Sequence, residues 1–130
     1  MNRRRKIKPS IPVFEQTPGV VFQPKTYRGF QRGINTLVNA IRPTLGPRSR
    51  IVAVERYPHG KTPELLDSGG IIARRIIDLK DPDANAGAMF LRGVLWKLHE
   101  RVGDGTATAA LLFQYIYNQG IRYITAGGNA

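Results

Sequence analysis

The sequence has 130 residues, no cysteine and a formal net charge of +11. This length predicts one domain. The absence of cysteine excludes a disulfide framework or a thiolate zinc site, and the presence of only two histidines suggests no metal cluster. No apolar run is long enough to span a bilayer, and no signal-peptide core follows the basic start, so we expect a cytoplasmic protein with no membrane contact.

Residues 1–24 are predicted to form a flexible basic leader, because they combine a basic cluster with scattered prolines and lack periodicity. Residues 1–50 carry eleven Lys or Arg and one acid, whereas residues 51–130 carry nine basic and eight acidic residues. The excess charge therefore lies in the N-terminal part, which is either a solvated tail or an arm that binds nucleic acid. No aromatic residue interleaves with the basic cluster, so the solvated tail is favoured.

The next predicted element is an amphipathic helix over residues 25–42. Five apolar residues recur at helical spacing: Phe30, Ile34, Leu37, Val38 and Ile41. Pro43 ends the pattern, because proline disfavours helix in the residue before it. Residues 44–50 then form a sharp loop, which alone is a weak phosphate-loop candidate because it lacks the Walker spacing and lysine.

A β-hairpin and a short helix are predicted in the middle of the chain. Residues 51–54 and 64–67 are predicted strands, joined by a turn at residues 57–60. Residues 68–70 form another turn, and residues 71–77 are predicted to be a short helix.

Two longer helices follow. Residues 84–101 are predicted to be helical, with a buried stripe of Leu91, Val94, Leu95, Leu98 and Val102. The last helix, over residues 105–126, has apolar residues on nearly every face, a pattern typical of a helix that is covered on all sides. The other elements are too few to cover it, so we expect partners or further chain to do so.

The most informative stretch is the Gly-Asp-Gly turn at residues 103–105. Its glycines let the backbone approach a ligand closely, and the helix N-terminus that follows is suited to phosphate. Asp104 is expected to cap this helix, and its carboxylate could hold Mg²⁺ between phosphates. Thr106 and Thr108 add hydroxyl groups. Taken alone, the motif favours a plain capped helix after a glycine turn.

Three segments in order resemble the group I chaperonins, in the N-terminal part of their equatorial ATP-binding domain. Residues 44–50 resemble the family pattern T-L-G-P-K-G-R, residues 65–73 resemble I-T-K-D-G-V-S-V-A, and residues 103–109 resemble G-D-G-T-T-T-A. The resemblance covers residues 21–130. It implies a mostly α fold, a helical bundle like the equatorial domain with a small β-hairpin, in which residues 25–130 are an incomplete domain.

The resemblance also implies a function and a site. The family binds ATP with Mg²⁺ and K⁺, forms stacked rings that enclose unfolded proteins, and usually works with a lid-like co-chaperonin. Asp104 is implied as the Mg²⁺ ligand. The implied nucleotide-binding residues are Thr44, Leu45, Gly46, Pro47, Gly69, Asp104, Gly105, Thr106 and Thr108. The hairpin corresponds to one that, in the family, pairs with strands of a neighbouring subunit.

Some positions depart from the family pattern. Where the family has K-D-G, this chain has Asp67, Ser68 and Gly69, so the carboxylate associated with hydrolysis is replaced by Ser68. Asp67 could substitute only if the loop slipped by one residue. Ala107 replaces a threonine. No catalytic residue is assigned, and ATP hydrolysis by these 130 residues is not expected. The family's chain is about four times longer, so we expect the reading frame to continue past Ala130 or another chain to complete the subunit.

Three hypotheses follow. The favoured one is a chaperonin-type ATP-binding subunit or fragment, supported if ATP raises its thermal stability. The second is a non-enzymatic basic module that binds nucleic acid, for which binding would be steeply salt-dependent. The third is a structural piece that associates with full-length chaperonin rings and would purify with them.

Overall fold

The computed structural model describes residues 25–56, 60 and 62–129. The predicted leader at residues 1–24, and most of the predicted turn of the hairpin, lie outside the described residues. The elements are α1 (Lys25–Ile41), a 3-10 turn (Arg42–Thr44), β1 (Val52–Val54), β2 (Glu64–Leu66), α2 (Gly69–Arg75), α3 (Pro82–Val102) and α4 (Thr106–Thr125). Of the described residues, 67% are helical, and their strands form one small antiparallel sheet, which confirms the predicted class.

The helix pair α1 and α3 packs with its backbones in close approach. A Cβ atom on Gly33 of α1 would overlap the carbonyl oxygen of Ala84, and one on Gly87 of α3 would overlap that of Phe30. Glycine at these positions therefore lets the two helices come closer than side chains would allow.

The hydrophobic core forms between α1 and the helices that follow it. Four of the five predicted α1 residues, Ile34, Leu37, Val38 and Ile41, are fully buried, and the fifth, Phe30, is half-buried. The other buried members of the core come from α2, α3 and α4: Ile72, Ala73, Ala88, Leu91, Leu95 and Ala110.

The predicted buried stripe of α3 is partly wrong. Leu91 and Leu95 are buried, but Val94 is 42% exposed and Val102 is 66% exposed. The helix instead turns a stripe of mainly small residues toward the core: Ala84, Gly87, Ala88, Leu91 and Leu95. The close approach of α1 requires these small residues, and the buried positions lie between residues 84 and 95, so the predicted stripe lies too far toward the C-terminal end of the helix.

The hairpin and α2 lie next to each other in the chain and are tied together. The strands pair antiparallel, as in the predicted hairpin, and Val52 lies opposite Leu66. Arg75 at the end of α2 donates two hydrogen bonds to the Glu64 carboxylate on β2, at 2.7 and 2.9 Å. The helix begins at Gly69, not at residue 71, because Ile72 already donates a helical hydrogen bond to the carbonyl of Ser68.

The last helix, α4, remains open on one side, as its all-round apolar pattern predicted for a helix with too few covering elements. Four large residues along it are more than half exposed: Leu112, Tyr115, Ile116 and Tyr123. Two residues after the last helical residue, Thr125, Gly127 has a left-handed backbone conformation, and the Gly128 amide donates to the carbonyl of Tyr123. Among the described residues, no helix is long and apolar enough to cross a membrane.

Candidate functional site

The Gly-Asp-Gly turn lies beside the loops that follow α1 and β2, and together they line a pocket of about 380 Å³. The lining residues are Thr44, Leu45, Gly46, Asp67, Ser68, Gly69, Gly103, Asp104, Gly105, Thr106, Ala107 and Thr108. Every predicted binding residue except Pro47 is among them. The three segments that carry the family resemblance therefore meet in one place, although they are far apart in the chain.

The start of α4 supplies backbone N–H groups to this pocket. Gly105 is the N-cap residue, with a left-handed φ of 76°, and no side chain caps the helix. The first helical bond in this turn runs from the Ala109 amide to the Gly105 carbonyl. The N–H groups of the three residues between them come before the first helical bond, at the positive end of the helix dipole.

The expectation that Asp104 caps α4 is wrong. Its Oδ1 instead accepts a hydrogen bond from the amide of Gly105, at 2.6 Å. Because Gly105 itself takes the N-cap position, the Asp104 carboxylate lies one residue too early to reach the first-turn amides. The carboxylate is exposed and lines the pocket.

The threonine hydroxyls of the pocket differ in their availability. The Thr44 hydroxyl donates to the carbonyl of Ile41 at 2.8 Å, so it is already used by the end of α1. Thr106 is only 5% exposed, yet its side chain has no hydrogen-bond partner among the residues that the structure describes. Its oxygen is not one of the buried unpartnered side-chain atoms of the described residues, so it remains accessible from the pocket that Thr106 lines and is available to a ligand.

The pocket contains two carboxylates and no basic side chain. Asp67 and Asp104 both line it, and neither forms an ion pair within the described part of the chain. A phosphate group alone would be repelled by these carboxylates, whereas a divalent cation would neutralise them and bridge to phosphate oxygens. No group of three or more His, Cys, Asp or Glu that could hold a metal occurs among the described residues. Phosphate and water would therefore have to complete the coordination of such a cation.

Gly69 forms the contact between the loop after β2 and the start of α4. A Cβ atom at this position would lie 2.7 Å from Cγ2 of the buried Ile41 and 3.3 Å from the Ala107 amide nitrogen. The missing side chain lets the first turns of α2 and α4 approach each other, and this approach closes the pocket.

The lining of the pocket differs from the predicted set of residues in a few places. Pro47 is exposed and is not among the lining residues, whereas Gly46 before it, with a φ of 102°, is one of them. Asp67, Ser68, Gly103 and Ala107 were not predicted as binding residues. The sequence drew attention to Gly103 through the glycine turn, and to Asp67, Ser68 and Ala107 through their departures from the family pattern.

A second cleft, of about 650 Å³, lies between α1 and α4 and shares Leu45 and Thr108 with the pocket. Side-chain amides bridge the two helices along it. Arg42 donates to Gln114 at 2.9 Å, and Gln114 donates to Asn35 at 2.8 Å. This polar network holds the end of α1 against the first half of α4, and so keeps the two longest walls of the pocket in place.

Comparison with curated proteins identifies several relatives, whereas no protein-family model matches the chain. It is 38% identical over 110 residues to Chaperonin GroEL 2 of Corynebacterium jeikeium, a match of 85% of this chain and 20% of that protein. Chaperonin GroEL 1 of Corynebacterium diphtheriae is 39% identical over the same shares of each chain. The chloroplastic RuBisCO large subunit-binding protein subunit alpha of Chlamydomonas reinhardtii is 38% identical over 85% of this chain and 18% of that protein. The chain spans about a fifth of the length of the curated relatives it matches.

Proposed function

Because the chain is a divergent relative of the group I chaperonins over 85% of its length, we propose that it is a chaperonin-type subunit or fragment that binds ATP and assists protein folding within a ring assembly. Residues 25–130 are then the N-terminal portion of an equatorial domain. Unfolded proteins, other chaperonin subunits and a lid-like co-chaperonin are the partners that this proposal implies.

One observation carries the proposal. The three segments that resemble the family converge on a pocket that combines free helix N-terminal amides, an unpartnered hydroxyl on a largely buried threonine, and carboxylates with no basic side chain among the lining residues. These groups fit the phosphates of a nucleotide with a divalent cation, and they fit a free anion poorly. Mg²⁺ would neutralise charge between the carboxylates and the phosphate oxygens.

Each residue has a distinct part in the proposed site. Asp104 holds the cation, and the amides and hydroxyls of residues 105–108 bind phosphate oxygens. Gly69 keeps the two helix starts close enough to do so. Leu45 lies where the pocket meets the second cleft, and its half-exposed apolar side chain offers a surface for the base. Binding by this chain alone is expected to be weak, because the remaining four-fifths of the family's length has no counterpart here.

A binding measurement with a fluorescent ATP analogue tests the proposal. We expect weak binding that requires Mg²⁺, and we expect Asp104→Ala to abolish it. Asp78→Ala is the matched control, because Asp78 is an exposed carboxylate in the loop between α2 and α3, outside the pocket. Unchanged binding by Asp104→Ala, or binding that does not depend on Mg²⁺, would contradict the proposal.

The open face of α4 favours a second candidate function, that of a structural piece that associates with full-length chaperonin subunits. Ile116 and Tyr115 are 69% and 65% exposed, as expected for residues that a partner covers. Co-purification with a full-length chaperonin that is lost on Ile116→Lys, in a preparation that binds no ATP, would favour this function over nucleotide binding.

A further inference from the structure

We propose that Asp67 is a second acidic ligand of the divalent cation in the pocket, so that the cation lies between Asp67 and Asp104. The inference rests on the proposed function, because it deepens the account of the same phosphate pocket. It concerns a residue that the family resemblance does not assign, at a position where the family pattern has lysine.

The position of Asp67 in the fold is well defined on both sides. It directly follows β2, whose Glu64 is held by two hydrogen bonds from Arg75. It precedes Ser68, the N-cap residue of α2, and Gly69 is packed against Ile41. Both Asp67 and Ser68 line the pocket.

The charges in the pocket favour a cation. Both carboxylates lack ion-pair partners within the described residues, and no lysine, arginine or histidine is among the lining residues. Two carboxylates facing one pocket repel each other and repel any phosphate. Mg²⁺ is characteristically held by one or two carboxylates together with phosphate oxygens and water, which is the donor set that this pocket can supply.

The hydroxyl of Thr106 is an independent sign of a ligand. Thr106 lines the same pocket and is 95% buried, since only 5% of it is exposed. Its side chain has no hydrogen-bond partner in the described part of the chain. An oxygen so placed is suited to a ligand, either the cation or a water or phosphate oxygen bound to it.

Mn²⁺ binding, followed by electron paramagnetic resonance, tests the proposal without nucleotide turnover. Mn²⁺ replaces Mg²⁺ at oxygen sites and loses its free-ion signal when bound. The full chain, Asp67→Asn, Asp104→Asn and the control Asp78→Asn are titrated with Mn²⁺ alone and then with inorganic tripolyphosphate. We expect both pocket variants to bind Mn²⁺ at least about tenfold more weakly than the wild type, because even indirect metal contacts contribute about that much. The control should match the wild type.

The two proposals fail in different ways. If Asp67→Asn binds Mn²⁺ as tightly as the wild type, Asp67 is not a ligand and the inference is overturned, whatever the strength of wild-type binding. Mg²⁺-dependent ATP binding through Asp104 can still stand in that case. If both variants weaken Mn²⁺ binding but the chain binds no ATP, the metal site stands and the proposed function fails. Circular dichroism verifies that each variant is folded. If Asp67→Asn fails to fold, the Mn²⁺ affinities of Asp67→Glu and Asp67→Ser are compared instead. Tighter binding by Asp67→Glu, which keeps the carboxylate, supports the inference, and equal binding by the two variants overturns it.

Discussion

The pH dependence of the hairpin involves Glu64, which pairs chiefly with Arg75 and, at 3.8 Å, with Arg56. The hydrogen bonds from Arg75 hold the pKa of Glu64 below its ordinary value of 4.5. A pKa lowered in the folded state means that the stabilisation is complete above about pH 4.5 and is lost as the pH falls through the folded value. We expect Glu64→Gln to lower the melting temperature slightly at neutral pH and to flatten its fall on acidification. The difference is small because the pair is exposed to solvent. Identical pH profiles for the two proteins would contradict this assignment.

At Ser68, the chemistry of a single residue limits what the pocket can do. Ser68 lines the pocket, but a serine hydroxyl cannot act as a general base at neutral pH without a partner, and no histidine lines the pocket with it. We therefore expect no ATP hydrolysis by the chain, and none by Ser68→Asp, because restoring one carboxylate does not replace the parts of the family's site that have no counterpart here. Measurement of phosphate release from purified protein checks this, with Asp104→Ala as the background control. Phosphate release above that background by the wild type would refute it.

Among the elements, the contact between α1 and α3 depends most on small residues. A Cβ atom on Gly33 would meet the carbonyl oxygen of Ala84 and, at 2.7 Å, the amide nitrogen of Ala88, both of which are backbone atoms that cannot move aside cheaply. We expect Gly33→Ala to destabilise the fold by about 3 kcal/mol or more, as overpacking does when backbones must separate. Urea denaturation followed by circular dichroism measures the change.

Gly93 provides the matched control for this substitution, because it lies exposed on α3 and a Cβ atom added there would meet nothing within 4 Å. Replacing an exposed glycine inside a helix by alanine stabilises it by roughly 0.5–1 kcal/mol. We therefore expect Gly33→Ala to lower the stability of the fold and Gly93→Ala to raise it. A loss of stability in both variants would indicate that helix geometry, and not packing, causes the change.

The elements also show why some sequence predictions were right and others wrong. Helix α1 carries large aliphatic residues on its buried face, so periodicity alone predicted it. The buried face of α3 is built partly from Ala84, Gly87 and Ala88, which carry little hydrophobic signal, so the larger Val94 and Val102 misled the prediction. The start of α2 depends on Gly69 packing against Ile41, a contact between residues far apart in the chain. Local patterns contain no information about such a contact.

At the scale of the whole molecule, the structure brings most of the predicted binding residues together in one pocket, and their role in binding stays a prediction. The family resemblance placed residues 44–46, 69 and 104–108 together, and the pocket contains them all. Asp67 was not predicted as a binding residue, because matching it to the family's carboxylate requires a slip of the loop. In the structure, Asp67 and Ser68, which follow β2, both line the pocket. Pro47 was included because it belongs to the motif, although it is not among the residues that line the pocket.

The uncovered side of α4 leads to a prediction about the whole molecule, that the purified chain associates with itself. Leu112, Tyr115, Ile116 and Tyr123 are spaced along one helix and are each more than half exposed. Large contiguous apolar surfaces of this kind are covered by partners or cause aggregation.

We expect light scattering to show species larger than a monomer, and we expect Ile116→Lys to reduce them. Leu65→Lys is the control, since Leu65 is 68% exposed but lies on the hairpin, away from this face. If the exposed face of α4 causes the self-association, only Ile116→Lys restores a monomer, because only this substitution places a charge within that apolar face. A sharp monomer peak for the wild type, with cooperative unfolding and no binding of a hydrophobic dye, would show instead that four exposed residues on one helix are too few to drive association.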